Sequence, residues 1–192
     1  MSPRIGLDLG TLLDAATELA DQGGLESVTL ASLAGKLNVR SPSLYNHVNG
    51  LPELRRQLAL RGLALFNGQL AKQLAGLYGD EALRRFCYAY IAFARENPGL
   101  YESVQLVGEP EDAELKAGKE ELVSRAAETV GAYGLEGEAA IHAVRGLRSL
   151  LHGFASLERQ GAFRMKVGLD ESLRLMIDTF LFGMKAMRES GD

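Results

Sequence analysis

Between residues 29 and 48 the chain reads TLASLAGKLNVRSPSLYNHV, and few folds accommodate that run. Thr29 is a good helix N-cap, because its hydroxyl can accept a bond from a backbone N–H that the first turn leaves unpaired. Leu30, Leu33, Ala34 and Leu37 recur at i, i+3, i+4 and i+7, the spacing of a two-turn helix with one buried face. Asn38-Val39-Arg40 breaks that pattern. Ser41-Pro42 predicts the start of a second helix, with serine as the cap and proline at the first helical position, where a missing N–H costs nothing. Leu44, Tyr45 and Val48 are expected to face the core, leaving Arg40, Ser41, Ser43, Asn46 and His47 on the other side. Two short helices joined by a tight turn, the second lined with hydrogen-bonding side chains, form the helix-turn-helix layout that reads a DNA groove.

Charge supports that reading only locally. The chain carries a net charge of −4, which by itself argues against a nucleic-acid partner. Residues 29–61, however, hold five bases (Lys36, Arg40, Arg55, Arg56 and Arg61) against a single acid, Glu53. The stretch just before, 8–26, holds five acids and no base. A local excess of positive charge is what phosphate contact requires, and a patch this small predicts weak non-specific binding with a shallow salt slope.

The rest of the chain is also helical in pattern. A first helix is expected over 9–22, with Leu12, Ala16, Leu19 and Ala20 on one face and Gly23-Gly24 ending it. Gly50-Leu51-Pro52-Glu53 opens a long helix that continues toward Leu77, with Pro52 and Glu53 both suited to a first turn. Further helices are expected over 80–96, 98–106, 112–133, 137–160 and 170–189, and no region alternates as a strand would. The acidic run Glu109-Pro-Glu-Asp-Ala-Glu is expected to be a solvated loop. The lone cysteine, Cys87, excludes an internal disulfide and a cysteine-based zinc finger. The absence of a bilayer-length apolar run or a signal-peptide core sets the expectation of a cytoplasmic protein with no membrane partner.

Residues 9–61 resemble the DNA-binding domain of the TetR family of one-component transcriptional regulators, through LLDAATELADQGGLESVTLASLAGKLNVRSPSLYNHVNGLPEL. The later NPGLYE and AVRGLRSLLHGFASLERQGAF segments are similar, more loosely, to an all-helical regulatory domain of that family. The resemblance implies an all-α fold. An N-terminal three-helix helix-turn-helix domain (1–55) would be joined by a long helix to an α-helical ligand-binding and dimerisation domain (56–192). It further implies a homodimer whose recognition helices enter successive major grooves of a near-palindromic operator, with repression relieved by a small-molecule effector. Carried over by position, Thr29 and Ser32 would touch phosphate, and Arg40, Ser41 and Ser43 would reach bases or phosphates. Tyr45, Asn46 and His47 would hold the backbone at the far edge of the groove. Many members carry a basic residue near Ala31 or Ser32 and a lysine at the position of Leu51. This chain has neither, so its grip on DNA is weaker or shifts onto Arg55 and Arg56.

Two features of the second half bear on regulation. In 170–189, Leu173, Met176, Ile177, Phe180, Leu181 and Met184 form one apolar stripe, and Leu175, Thr179, Phe182, Gly183 and Ala186 form another opposite it. In 137–160, Val144, Leu147, Leu151 and Phe154 face one way, and the smaller stripe Ala143, Gly146, Leu150, Gly153 and Leu157 faces another. A helix in a monomer needs one apolar face, so the second pair of stripes predicts a two-fold interface through the last two helices, the alternative being burial within one chain. For the effector, Tyr90 and Phe93 lie beside Phe86 on one helical face, and Tyr101, Phe154 and Phe180 could converge on them. Tyr90, Tyr101, Arg148 and His152 are the polar candidates; an aromatic stripe at this spacing equally describes plain core.

Catalytic chemistry finds no footing in the pattern. Nucleophile-elbow, dinucleotide, phosphate-loop and zinc-protease motifs are missing. His142 and His152, ten residues apart, would lie about 15 Å apart along one helix, too far to share a metal. No enzymatic activity, cofactor or metal is therefore expected. The rival to an operator-binding regulator is a helix-turn-helix protein that works mainly through protein contacts, its operator affinity eroded by the missing bases.

Overall fold

The structure, a computed structural model, describes residues 7–106, 108 and 111–189. Every regular element among them is helical. The order is α1 (Leu9–Gly23), a 3₁₀ turn (Leu25–Ser27), α2 (Leu30–Leu37), a 3₁₀ segment (Ser41–Asn46), α3 (Gly50–Leu74), α4 (Gly79–Glu96), α5 (Pro98–Leu106), α6 (Ala113–Gly131), α7 (Gly137–Arg159) and α8 (Leu169–Glu189). Two compact units result, one from the residues up to Leu65 together with Asn97–Gly118, the other from Phe66–Glu96 together with the residues from Lys119 onward. The expected junction at residue 55 falls inside α3, which runs on without a break.

In the first unit, α1 starts at Asp8, whose carboxylate accepts the Thr11 N–H at 2.7 Å. It stops at Gly24, where φ of 77° suits a residue without a Cβ and the Gly24 N–H closes the last turn on the Ala20 carbonyl. Leu12, Ala16 and Ala20 are buried as expected, joined by Leu13 and Ala15; Leu19 is only half-buried. Around them close Leu25, Val28, Leu33, Leu44, Val48, Leu54 and Leu58, all with almost no exposure.

The NPGLYE segment explains why this unit extends to residue 118. The chain of α5 docks on α1 so closely that a Cβ on Gly99 would lie 2.4 Å from the Ala20 Cβ. The Gly99 N–H donates to Asp21 at 2.8 Å, and Glu102 accepts the Leu25 N–H at 3.1 Å. The acidic run departs from expectation. Glu109 and Pro110 lie outside the described residues, but Asp112 is no solvated loop residue: it accepts the Glu114 and Leu115 N–H groups at the start of α6. A carboxylate there satisfies donors that a helix start always leaves open.

The second unit has an aromatic centre. Phe66 stacks on Phe93 with centroids 4.2 Å apart and meets Tyr90 edge-on at 5.2 Å. Leu147, Leu151 and Phe154 of α7 and Leu173, Ile177, Leu181 and Met184 of α8 are buried in the same unit. Burial at these spacings follows the predicted stripes closely; Ala143, assigned to the opposite stripe of α7, is buried too.

Candidate nucleic-acid interface and regulatory faces

Thr29 caps α2 as its sequence context predicts, and it does so reciprocally with Ser32. The Ser32 N–H donates to the Thr29 hydroxyl and the Thr29 N–H to the Ser32 hydroxyl, each at 3.0 Å. Ser32 also donates to the Ser27 carbonyl at 2.9 Å. Two residues proposed for phosphate contact thus have a prior task in shaping α2. Asn38 ends the helix in the left-handed region at φ 53°, a conformation asparagine tolerates better than most.

The segment after the turn differs from its predicted form in two respects. Ser41–Asn46 is a 3₁₀ rather than an α-helix, and Arg40, not Ser41, occupies its cap position with no side-chain bond. Three residues per turn rotate each side chain further than an α-helix would. Leu44 and Val48 still reach the core, but Tyr45, expected there, is 58% exposed. Arg40, Tyr45 and Asn46 are exposed, and Ser41, Ser43 and His47 are half-buried. His47 lies close enough to Asp8 to help hold that carboxyl below its ordinary range, although the main cause is the N–H of Thr11.

Of the five bases in the local patch, four already have acidic partners. Lys36 pairs with Glu18 at 2.7 Å and Arg61 with Asp14 at 2.5 Å. Arg55 donates to the Leu25 carbonyl at 3.3 Å and sits 3.5 Å from Glu26. Arg56 is the most committed: its Nε meets Asp112 at 2.6 Å, a second nitrogen reaches the other Asp112 oxygen at 3.3 Å, and Glu114 closes on it as well. That fork raises the Arg56 guanidinium and holds the Asp112 carboxyl below the usual carboxylate range. Arg55 and Arg56, expected as the alternative to the missing phosphate-binding bases, are thus engaged within their own chain, and three of the five acids of 8–26 (Asp14, Glu18 and Glu26) are among the partners of this patch. Arg40 alone of the five has a guanidinium with no ion pair among the described residues.

The second unit leaves an apolar surface uncovered. On α8, Leu175 and Met187 are exposed and Phe182 is 77% exposed, with Thr179, Gly183 and Ala186 beside them. On α7, Ile141 and Leu157 are exposed, while Leu150 and Gly153 are half-buried. The polar network beneath is internally satisfied: Tyr133 donates to Asp80 at 2.8 Å, Lys185 meets the other Asp80 oxygen at 2.5 Å, and Arg84 pairs with Asp178. Lys185 keeps the Asp80 carboxyl low, and burial pushes the Cys87 thiol up to about 12, so that cysteine is an inert core residue.

The effector candidates fare unevenly. Tyr90 and Phe93 belong to the aromatic centre, and Phe180 is half-buried with an edge 3.7 Å from where a Cβ on Gly146 would stand. His152 is half-buried and Arg148 exposed on α7, whereas Tyr101 is buried in the first unit, with α5. Phe154 pairs with Phe163 at 5.2 Å. No described group of three or more His, Cys, Asp or Glu side chains could hold a metal, and no described helix is long and apolar enough to cross a membrane.

Comparison with known proteins bears on what such an arrangement is for. Residues 83–180 match the family described as Tetracyclin repressor-like, C-terminal domain. The HTH-type transcriptional regulator YobS of Bacillus subtilis (strain 168) is 45% identical over 185 residues, 96% of each chain. The TetR family transcriptional regulator PfmR of Thermus thermophilus superposes with a TM-score of 0.68 at 21% identity, over 88% of this chain and 96% of that one. A TetR variant from Acinetobacter baumannii AYE, in complex with minocycline, superposes with a TM-score of 0.61 at 23% identity, over 95% of this chain and 98% of that one. The helix-turn-helix, the all-helical second unit and a full-length relative at this identity agree: the chain belongs to the TetR family, and it is a DNA-binding transcriptional regulator, not an enzyme.

Proposed function

We propose that the protein is a cytoplasmic, ligand-responsive repressor that binds a near-palindromic operator as a homodimer through α7 and α8. The observation that carries the DNA reading is the exposed, unpaired Arg40 at the head of the Ser41–Asn46 segment, beside exposed Tyr45 and Asn46. An arginine placed there can give a bidentate pair to guanine or hold a phosphate. Ser41 and Ser43 stand within reach of the same groove, and Tyr45, Asn46 and His47 would secure the backbone at its edge. With the four other bases held by acids, the non-specific electrostatic contribution is small and base reading carries most of the selectivity.

Half-sites of a dimeric helix-turn-helix protein lie about 34 Å apart, one turn of DNA, so a change of a few ångströms in spacing misaligns one reading segment. An effector need only favour one spacing: about 5.5 kcal/mol of differential binding takes a population from 1:99 to 99:1. The coupling is reciprocal, and operator DNA must weaken effector binding by the same factor. The minocycline complex of the Acinetobacter protein supports a small organic effector; within the second unit, Tyr90, Phe93, Arg148, His152 and Phe180 are its candidate contacts.

The test is fluorescence anisotropy on duplexes from the protein's own upstream intergenic region, beside a scrambled duplex and Arg40→Ala. Selective binding that the substitution weakens by roughly 1–3 kcal/mol supports the reading. Selective binding that survives the substitution removes Arg40 from the interface. If neither that region nor a genome-wide fragment selection yields a preferred duplex, the protein acts through other proteins instead.

A further inference from the structure

The connection between α7 and α8 is exposed throughout residues 161–168, and its side chains alternate in character: Phe163, Arg164, Met165, Lys166, Val167. Phe163 anchors it on Phe154, but Met165 is 84% exposed and Val167 is also uncovered. Arg164 and Lys166 have no ionic partner among the described residues. The other end of α7 is its opposite. Glu136 and Glu138 are exposed there, likewise without a described partner, and Glu136 makes no cap bond to the helix it precedes. One turn further on, Ile141 is exposed. One end of this helix therefore offers two acids and an uncovered isoleucine, and the segment beyond the other end offers two bases between uncovered methionine and valine.

Within one chain the two ends cannot meet, because 23 residues of helix hold them about 35 Å apart. A two-fold axis perpendicular to α7 brings them together twice; an axis along the helix sets acids against acids and bases against bases. We infer that the 162–167 segment is an arm that packs on the first turns of α7 in a second copy of this chain, Arg164 and Lys166 on Glu136 and Glu138, Met165 and Val167 on Ile141, which makes the two α7 helices antiparallel. The inference rests on the dimer proposed above and adds its orientation and selectivity. Exposed ion pairs contribute little to affinity but much to register, and here they reject the parallel arrangement and chains with a different end pattern.

The test uses full-length protein in three forms: wild type, R164E/K166E, and E136K/E138K. Sedimentation at low ionic strength, where screening is least, reads the dimer dissociation constant. Each double variant should weaken self-association by roughly tenfold or more, since the symmetry repeats every change at two junctions. Mixing the two variants should restore wild-type association as a heterodimer, seen as the mixed mass in native mass spectrometry, because both of its junctions are again complementary. All substituted side chains are exposed, so the helical content read by far-ultraviolet circular dichroism should be unchanged in both variants. A wild-type monomer overturns the dimer itself. A wild-type dimer whose variants associate normally, or whose weakened variants do not recover on mixing, overturns the arm and leaves the dimer standing.

Discussion

The two compact units handle the same two resources, charge and apolar surface, in opposite ways. Among the described residues the first unit exposes Tyr45, Leu65 and Leu106 of its large apolar side chains, and it pairs Lys36, Arg55, Arg56 and Arg61 with acids. The second unit also pairs many of its charges, but leaves Ile141, Leu157, Leu175, Phe182 and Met187 uncovered along its last two helices. A unit that must enter a hydrated, negatively charged groove benefits from a surface with few apolar groups and one or two directed hydrogen-bonding side chains. A unit that must recognise a second protein benefits from uncovered apolar side chains such as Leu175 and Phe182, seven residues apart on one face of α8. Under the function proposed above, that difference is a division of labour: selectivity for DNA in a few side chains, stability of the assembly in a surface.

The strongest way to break that division is Phe182→Glu. Phe182 lies on the exposed face of α8, and burying a phenylalanine is worth about 1.5–3 kcal/mol, counted twice across a two-fold interface. Sedimentation should show a monomer at concentrations where the wild type is dimeric, and operator binding should fall with it. A fully dimeric variant would move the interface elsewhere.

Next in size is an effect confined to the first unit. Gly99→Val places atoms where Ala20 and the Asp21 backbone already stand, 2.4–2.7 Å from the new Cβ. Overpacking of this kind costs about 1–3 kcal/mol and more where backbone must move, so α5 should lift from α1 and the melting temperature should drop. Gly68→Ala is the counterpart: nothing lies within 4 Å of its Cβ, in the interior of α3, and it should gain about 0.5–1 kcal/mol. Equal effects at the two glycines would mean that α5 is not held as tightly as the geometry requires.

These contrasts also mark how much could be read in advance. Helix boundaries, the Thr29 cap and the paired stripes of α7 and α8 are properties of neighbours within one or two turns, and periodicity exposes them. The fate of the arginines is not. Arg56 finds its partner 56 residues downstream and Arg61 its partner 47 residues upstream, and no local pattern encodes such pairings. Tyr45 departs from expectation for a different reason: its predicted burial assumes an α-helix, and the segment has the tighter 3₁₀ winding. NPGLYE is visible as a likeness, but its use, seating Gly99 on Ala20 and turning Glu102 to Leu25, needs the tertiary structure.

A smaller pair of effects separates the free base from the committed one. Arg40→Ala should cost about 1–3 kcal/mol of operator binding and leave the thermal melt unchanged. Arg56→Ala should do the reverse, lowering the melt through the loss of its fork on Asp112 while the salt slope of DNA binding stays the same. Acid should mimic it. The Asp112 carboxyl is depressed in the folded chain, so its contribution is present above the ordinary carboxylate range and is lost as pH falls through the lowered folded value. A salt slope that falls in Arg56→Ala would return that residue to the DNA interface.

The smallest expected change is at Thr29, and it decides whether that residue belongs to the fold or to the groove. Its hydroxyl accepts the Ser32 N–H at 3.0 Å, and replacing a capping threonine by alanine typically costs about 1 kcal/mol. If capping is its whole task, Thr29→Ser should restore both stability and operator binding, because serine presents the same oxygen to the same N–H. Thr29→Asp should restore stability alone: a carboxylate caps as well as a hydroxyl but would repel a phosphate brought against the first turn of α2. A Thr29→Asp protein that melts like the wild type and still binds its operator at full strength would place the first turn of α2 away from the DNA backbone, leaving Arg40 and the residues after it to hold the duplex.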